Sequence, residues 1–216
     1  GRAAIAMASS LLADAVHGKG ILLGGIAGVV PCEVTVIGSD LAARAAARSA
    51  MGLGAMVRMF DDDVYSLRSA MQELGPGVVA SALHPRVLSG ALRAADIVVV
   101  ASTKRPVVLG ADAVEEMKRG VVCFDISRSE RPAFPSLPQV DLAMASPSDT
   151  DPDNPLRLCY INAGNAVART AAMALSNTLL TMLADIVTCD GASNALKLKP
   201  GLRVAAYTFL GKPVNE

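Results

Sequence analysis

Between positions 32 and 61 the pattern of apolar positions changes period twice. The stretch reads CEVTVIGSDLAARAAARSAMGLGAMVRMFD. A β-branched run at 33–37 predicts a buried strand. Residues 38–41 make a tight turn. The Ala-rich run 42–51 predicts a helix, because Ala is the best helix former. Gly52 and Gly54 stop it. A second strand is predicted over 56–60 and ends on Asp61. Strand, turn, helix, strand and acidic residue make the first βαβ unit of a dinucleotide-binding fold.

The rest of the chain continues the alternation. Apolar positions at Ile5, Leu11, Leu12 and Val16 predict a helix over 3–16. GILLGGIAGVVP (20–31) carries four glycines, too many for a helix, and predicts a buried loop packed against the nucleotide fold. Helices are predicted over 64–74, 85–94 and 111–118, and strands over 78–82, 96–101 and 120–126. A proline-rich segment at 132–155 reads as loop around a short element at 140–145, and a strand follows over 156–161. The longest helix is predicted over 166–187, about 33 Å long. It is apolar around most of its circumference, so it is expected to be buried on several faces and to meet another domain or subunit. Residues 201–211 predict a strand with a turn. There are no internal repeats. The whole reads as α/β: a Rossmann-like doubly wound parallel sheet with flanking helices.

Composition sharpens this in three ways. With 52% hydrophobic and only 3% aromatic residues, the core must be built from Ala, Val and Leu. A formal net charge of zero argues against nucleic acid or an anionic membrane surface as the main partner. No run reads as the roughly 18 apolar residues of a membrane span. The four cysteines (32, 123, 159 and 189) show neither CxxC nor metal-ligand spacing, so no metal site is expected. Cys32, Cys123 and Cys159 flank strand-like runs, read as small core residues, and fit a reducing cytoplasm. His84, next to a proline, reads as a surface or capping residue. Lys104 and Arg105 follow the fourth strand, where ligands of doubly wound sheets bind; they read as anion contacts or as solvated charges.

The turn departs from the dinucleotide pattern. G-x-G-x-x-G would place glycine at 38, 40 and 43, whereas the chain has Gly38, Asp40 and Ala43. The second glycine lets the backbone approach a pyrophosphate, and the third lets the helix pack on the strand. Ala43 is a mild change. Asp40 either caps the following helix or faces the ligand, and both readings put a carboxylate in the phosphate site. Two like charges about 4 Å apart repel by roughly 4 kcal/mol at an effective dielectric near 20, on the order of a thousandfold in affinity.

With these segments placed, the sequence resembles the NAD-binding domain of the alanine dehydrogenase and nicotinamide nucleotide transhydrogenase alpha-subunit family. The matching stretches are HGKGILLGGIAGVVPCEVTVIG, AARSAMGLGAMVRMFD, LRAADIVVVAS, EEMKRGVVCFDIS, YINAGNAVARTAAMALSN and the tail GLRVAAYTFLGKPVN. The resemblance implies a Rossmann domain that closes on a second, catalytic domain. It also implies NAD as cofactor and hydride transfer between NAD and L-alanine, giving pyruvate and ammonia. By position, it places nucleotide contacts at Gly38, Ser39, Asp40, Leu41 and Ala42 in the turn, and at Asp61, Ser66 and Ser81 beyond it. Further contacts fall at Ala101 and Ser102, at Ile126, Ser127 and Ser129, and at Asn162. Asp61 suits NAD better than NADP, because a carboxylate repels a 2′-phosphate.

The departures from the family cluster at the site. Ser129 stands where the family has a catalytic aspartate, and serine supplies no carboxylate, so no catalytic residue is expected within this chain. Glu130 is adjacent but needs a changed backbone to reach the same point. The loop after Ala101 is short, and Asp40 and Ala43 alter the turn. The resemblance therefore implies an NAD(H)-binding domain of an alanine-dehydrogenase-like oxidoreductase with weakened or lost activity. The alternative is a non-catalytic assembly or ligand-sensing module on the same fold. We expect one dinucleotide-binding domain over 1–216, with 1–31 and 166–216 as flanking elements. The substrate domain, N-terminal in the family, is expected to lie outside this chain. A homo-oligomer, at minimum a dimer, is expected from the long helix.

Overall fold

The computed structural model describes residues 1–103, 105–127, 129–141, 143–144 and 158–213. The chain divides into two compact units, 1–166 and 167–216.

Unit one is a seven-stranded parallel sheet in the order β3-β2-β1-β4-β5-β7-β6. The strands are β1 (Glu33–Ile37), β2 (Met56–Phe60), β3 (Val78–Ser81), β4 (Ile97–Val100), β5 (Val122–Asp125), β6 (Gln139–Asp141) and β7 (Cys159–Ile161). Between them run α2 (Leu41–Gly52), α3 (Val64–Leu74), α4 (Pro85–Ala94) and α5 (Ala111–Glu115), preceded by α1 (Arg2–Ala13). The sequence order reverses between β1 and β4, which pair in parallel from Val34↔Ile97 to Ile37↔Val100. Ligands of such sheets bind beyond the carboxyl ends of the strands at this reversal. All four residues of β4 are fully buried, as continuous apolar strands covered on both faces must be.

Two apolar layers cover the sheet. One joins α1, α2 and α3 to the inward side chains of β1 and β2; the other joins Leu92, Val114, Phe134 and Cys123 on the opposite face. In the first layer the helix contacts are mostly alanine: Ala4 and Ala8 of α1 and Ala43, Ala46, Ala47 and Ala50 of α2 are fully buried. Small side chains bring these helices close, which is how so few aromatics suffice. Cys32, Cys123 and Cys159 are buried free thiols. Burial raises Cys123, and it pushes Cys159 up to about 12, so both stay protonated and act as core atoms.

Three local expectations are corrected. The first helix stops at Ala13, because the Asp14 carboxylate accepts the amides of Val16 and His17 and turns the chain. Val16 is then 82% exposed and not part of the apolar face. The glycine-rich segment 20–31 is not a buried loop throughout. Leu23 is buried, but Leu22, Ile26, Val29 and Val30 face outward around a tight reversal closed by hydrogen bonds between Ile26 and Val29. Only Gly24 meets the predicted close approach, with its α-carbon against the backbone of Leu53 and Gly54.

Unit two holds α6 (Ala168–Thr188), α7 (Ala192–Leu198), α8 (Pro200–Ala205) and the antiparallel pair β8 (Thr208–Phe209) and β9 (Lys212–Pro213). The strand predicted over 201–211 is mostly helix. Pro200 opens α8 at a position where a missing N–H costs nothing, and only its last residues form β8 and the turn. No residue of α6 is buried within the chain, unlike the expectation from its composition. Asn165–Thr188 has the length and mean hydropathy, 1.4, of a membrane span, which corrects the reading that no run reaches that measure. Its centre nevertheless carries Ser176, Asn177, Thr178 and Thr181, an expensive set in hydrocarbon.

Candidate nucleotide cleft

Gly38 shapes the turn at the end of β1. Its φ is +116°, and a β-carbon there would stand 2.8 Å from the Ser102 amide nitrogen. Its own N–H donates to Phe60 O at 2.7 Å. The glycine therefore lets β1 lead out between the loops that follow β2 and β4.

Asp40 is the N-cap of α2, with extended backbone, and its Oδ1 accepts the Ala43 N–H at 3.2 Å. Asp40 Oδ2 is enclosed and has no hydrogen-bond donor among the described residues. Asp40 also lines the cleft. It thus caps α2 from a position in the lining of the cleft.

Ser39 and Asp61 meet across the turn. Ser39 Oγ donates to Asp61 Oδ2 at 2.6 Å, and Asp61 Oδ1 accepts the Asp63 N–H at 2.9 Å. Each carboxylate oxygen retains a free lone pair. Arg44 locks the same turn from below. Its Nε donates to Ser39 O at 2.7 Å, and its guanidinium reaches Glu73, Ser69 and the Ser66 carbonyl on α3. The paired arginines Arg44 and Arg48 hold the Glu73 carboxyl below its usual range.

These groups open onto a cleft of about 680 Å³, within the range of small-molecule sites. Of the residues singled out from sequence, Ser39, Asp40, Asp61, Ser66 and Ser102 line it. Gly38 and Ala101 lie outside the lining, with their backbones in close approach at the turn. Leu41, 84% exposed, and Ala42, Ser81 and Ile126 lie outside the lining. Sequence reasoning missed Arg44, Asp62, Asp63, Leu83 and Val107, which also line it. The acidic run 61–63 was a usable signal; Arg44 gave none, since its partners lie on α3 more than 20 positions away. Arg105 lines the mouth, 78% exposed and 3.9 Å from Asp62; Lys104 and Arg128 lie outside the described residues. His84 is exposed and heads α4 without a side-chain cap bond.

Ser127, Ser129, Glu130 and Asn162 gather at a second pocket of about 380 Å³ beyond β5 and β7. Asp125 organises it, accepting the Ser127 N–H and Oγ–H and the Ala133 N–H. Ser129 Oγ accepts the Arg131 N–H at 3.1 Å. Asn162 holds a left-handed backbone (φ +52°) and, with Asn165, donates to Asp141 Oδ2. The Ala143 N–H and these amides keep the Asp141 carboxyl below its usual range. Among the described residues, no cluster of His, Cys, Asp and Glu could hold a metal.

The family model for the C-terminal domain of alanine dehydrogenase/PNT matches residues 4–216. The chain belongs to this alanine dehydrogenase/PNT family. Within it, alanine dehydrogenase of Mycolicibacterium smegmatis is 34% identical over 169 residues, covering 76% of this chain and 44% of that protein. Alanine dehydrogenase of Methanococcus maripaludis is 27% identical over 227 residues, covering 100% and 58%. The chain thus spans about half the length of these relatives. A solved L-alanine dehydrogenase shares the fold, with TM-score 0.79 and 24% identity over 99% of this chain and 59% of that one. Transhydrogenase from Sinorhizobium meliloti shares it at TM-score 0.62, with 19% identity over 84% of this chain and 52% of that one. The alanine dehydrogenase/PNT C-terminal domain is the family's NAD-binding domain, and NAD is the family's cofactor.

Proposed function

We propose that this chain is the nucleotide domain of an alanine-dehydrogenase-like oxidoreductase whose affinity for NAD is weakened. The residues present fit the nucleoside end of NAD: Asp61 keeps lone pairs for ribose hydroxyls, and the cleft has apolar walls. They do not fit its diphosphate. One observation carries this reading: the Asp40 carboxylate takes the Ala43 N–H at the start of α2, the donor and the dipole end that a phosphate would use. Four further assignments go with it. The chain acts as one nucleotide domain with flanking elements at both ends. Its substrate domain lies outside residues 1–216. It assembles as at least a homodimer, and it works in a reducing cytoplasm, as its four free cysteines favour.

NADH titration by calorimetry tests the main reading, with Asp40→Gly beside the native chain. Glycine at an N-cap costs helix stability only a few tenths of a kcal/mol relative to Asp. Asp40→Gly is expected to tighten NADH binding at least about tenfold, some 1.4 kcal/mol. Micromolar NADH binding by the native chain would sink the proposal.

A second reading, a non-catalytic assembly or ligand-sensing module, is favoured by one feature. Ser129 stands at the family's aspartate position, and its hydroxyl oxygen already accepts the Arg131 amide. Neither that hydroxyl nor the Asn162 amide can hold the charge of a carboxylate.

A further inference from the structure

Three features of the cleft lining differ in chemistry. At the turn, Asp40 occupies the α2 amide and adds a fixed negative charge. Asp61, Asp62 and Asp63 line the same cleft. Neither of the two described cations that line it is ion-paired with Asp40. Arg44 is held on Ser39 O and Glu73, and Arg105 lies exposed at the mouth beside Asp62. Leu83, Pro106 and Val107 add apolar surface to the lining, suited to a flat heteroaromatic base. The Asp61 oxygens each hold one internal hydrogen bond and can accept a second from a sugar hydroxyl.

Resting on the weakened-NAD reading, we infer that the cleft takes a nucleoside whose 5′ arm carries no phosphate. The arm is neutral or cationic. A ligand of this class keeps the apolar surface and the Asp61 contact and sets no anion against Asp40. In a dinucleotide site of ordinary charge, each added phosphate strengthens binding through the helix N-terminus. Here the order inverts: adenosine binds more tightly than AMP, and AMP more tightly than ADP-ribose. S-adenosylmethionine, an adenosine whose arm is net positive with its sulfonium next to the sugar and its carboxylate at the far end, binds at least as well as adenosine. Ser39 belongs to this site too, because its 2.6 Å bond orients the Asp61 carboxylate; it is a positioning residue.

The test is a ligand-observed NMR and calorimetric series on the full chain, at low salt so that charge effects are not screened. The probes are adenosine, S-adenosylmethionine, AMP, ADP-ribose and NADH. Adenosine is expected to bind at least tenfold more tightly than AMP. Asp40→Asn keeps the N-cap, since Asn caps as well as Asp, and removes the charge. It is expected to shrink the adenosine-to-AMP ratio at least fivefold while leaving adenosine affinity within twofold. Asp61→Asn is expected to weaken adenosine and S-adenosylmethionine together. If neither adenosine nor NADH binds, the inference falls while the weakened-NAD reading stands. If adenosine and AMP bind equally, the inference also falls. If NADH binds more tightly than adenosine in the native chain, both fall. A ratio that Asp40→Asn leaves unchanged overturns the role given to Asp40.

Discussion

Gly38 shows how one residue type fixes the entrance to the cleft. With φ at +116° and backbone atoms of Ala101 and Ser102 within about 3 Å of a would-be β-carbon, alanine is both strained and crowded. Gly38→Ala is expected to destabilise unit one by about 2–4 kcal/mol, read as a lower urea midpoint at unchanged slope. The same substitution at Gly52 meets nothing within 4 Å in a helix, and is expected to be neutral or stabilising. Equal effects at the two sites would refute the crowding argument. Asp40 and Ser39 act differently from Gly38: they leave the backbone path alone and change what the turn can receive. Asp40 fills the helix end with the chain's own anion. Ser39 holds the acid beside it.

At the scale of elements, the amino ends of the central strands β1 and β4 are tied by Asp96, just before β4. Its Oδ2 accepts the Glu33 N–H at 3.0 Å, and its Oδ1 lies 3.2 Å from Lys19 Nζ and 3.0 Å from Lys118 Nζ. Burial alone would raise this carboxyl. The Glu33 amide and the two lysines outweigh burial and hold it below its usual value. Because the folded pKa lies below the unfolded value of about 3.9, the unfolded chain takes up this proton first. The Asp96 contribution is therefore complete above that value and is lost as pH falls through the folded pKa. Asp96→Asn is expected to cost on the order of 1.5–3 kcal/mol at neutral pH. The melting-temperature gap to the native chain should close below about pH 4; a gap constant down to pH 2 would show that the ion contacts contribute nothing. Elements such as β1, β2 and α3 were legible to the residue because period, cap and composition agree there. Asp63 caps α3, and α2 ends on Gly52, with the left-handed Gly54 just beyond. The ends of α1, the course of 20–31 and the helix α8 were not legible. They depend on an Asx turn, on backbone approach and on a proline at N1, which periodicity does not register. In the cleft, the residues on the turn were readable from the glycine pattern. Arg44 was not, because only the folded α2–α3 packing brings its guanidinium to Glu73, Ser69 and the Ser66 carbonyl.

For the whole molecule the decisive feature is α6, 21 residues with none buried. Leu175, Leu179 and Leu183 form one stripe at helical spacing, between 54% and 65% exposed. Met173, Leu180 and Val187 form a second. An isolated helix of this length is marginal in water without a packed face, so a helix this apolar asks for a partner. The polar centre argues for protein rather than lipid: Thr178 and Thr181 return their hydroxyls to the helix carbonyls, but Asn177 would meet hydrocarbon. We assign the leucine stripe to a second copy of the chain. Light scattering at tens of micromolar is then expected to give a dimer mass. Leu179→Glu with Leu183→Glu should halve that mass, because two carboxylates per helix would face their symmetry mates across an apolar seam. The melting of unit one should move by no more than a degree or two. A native chain that stays monomeric at high concentration would remove the dimer. A native chain recovered only in detergent would return α6 to the bilayer, and a mass unchanged by the double substitution would place the contact on the other stripe.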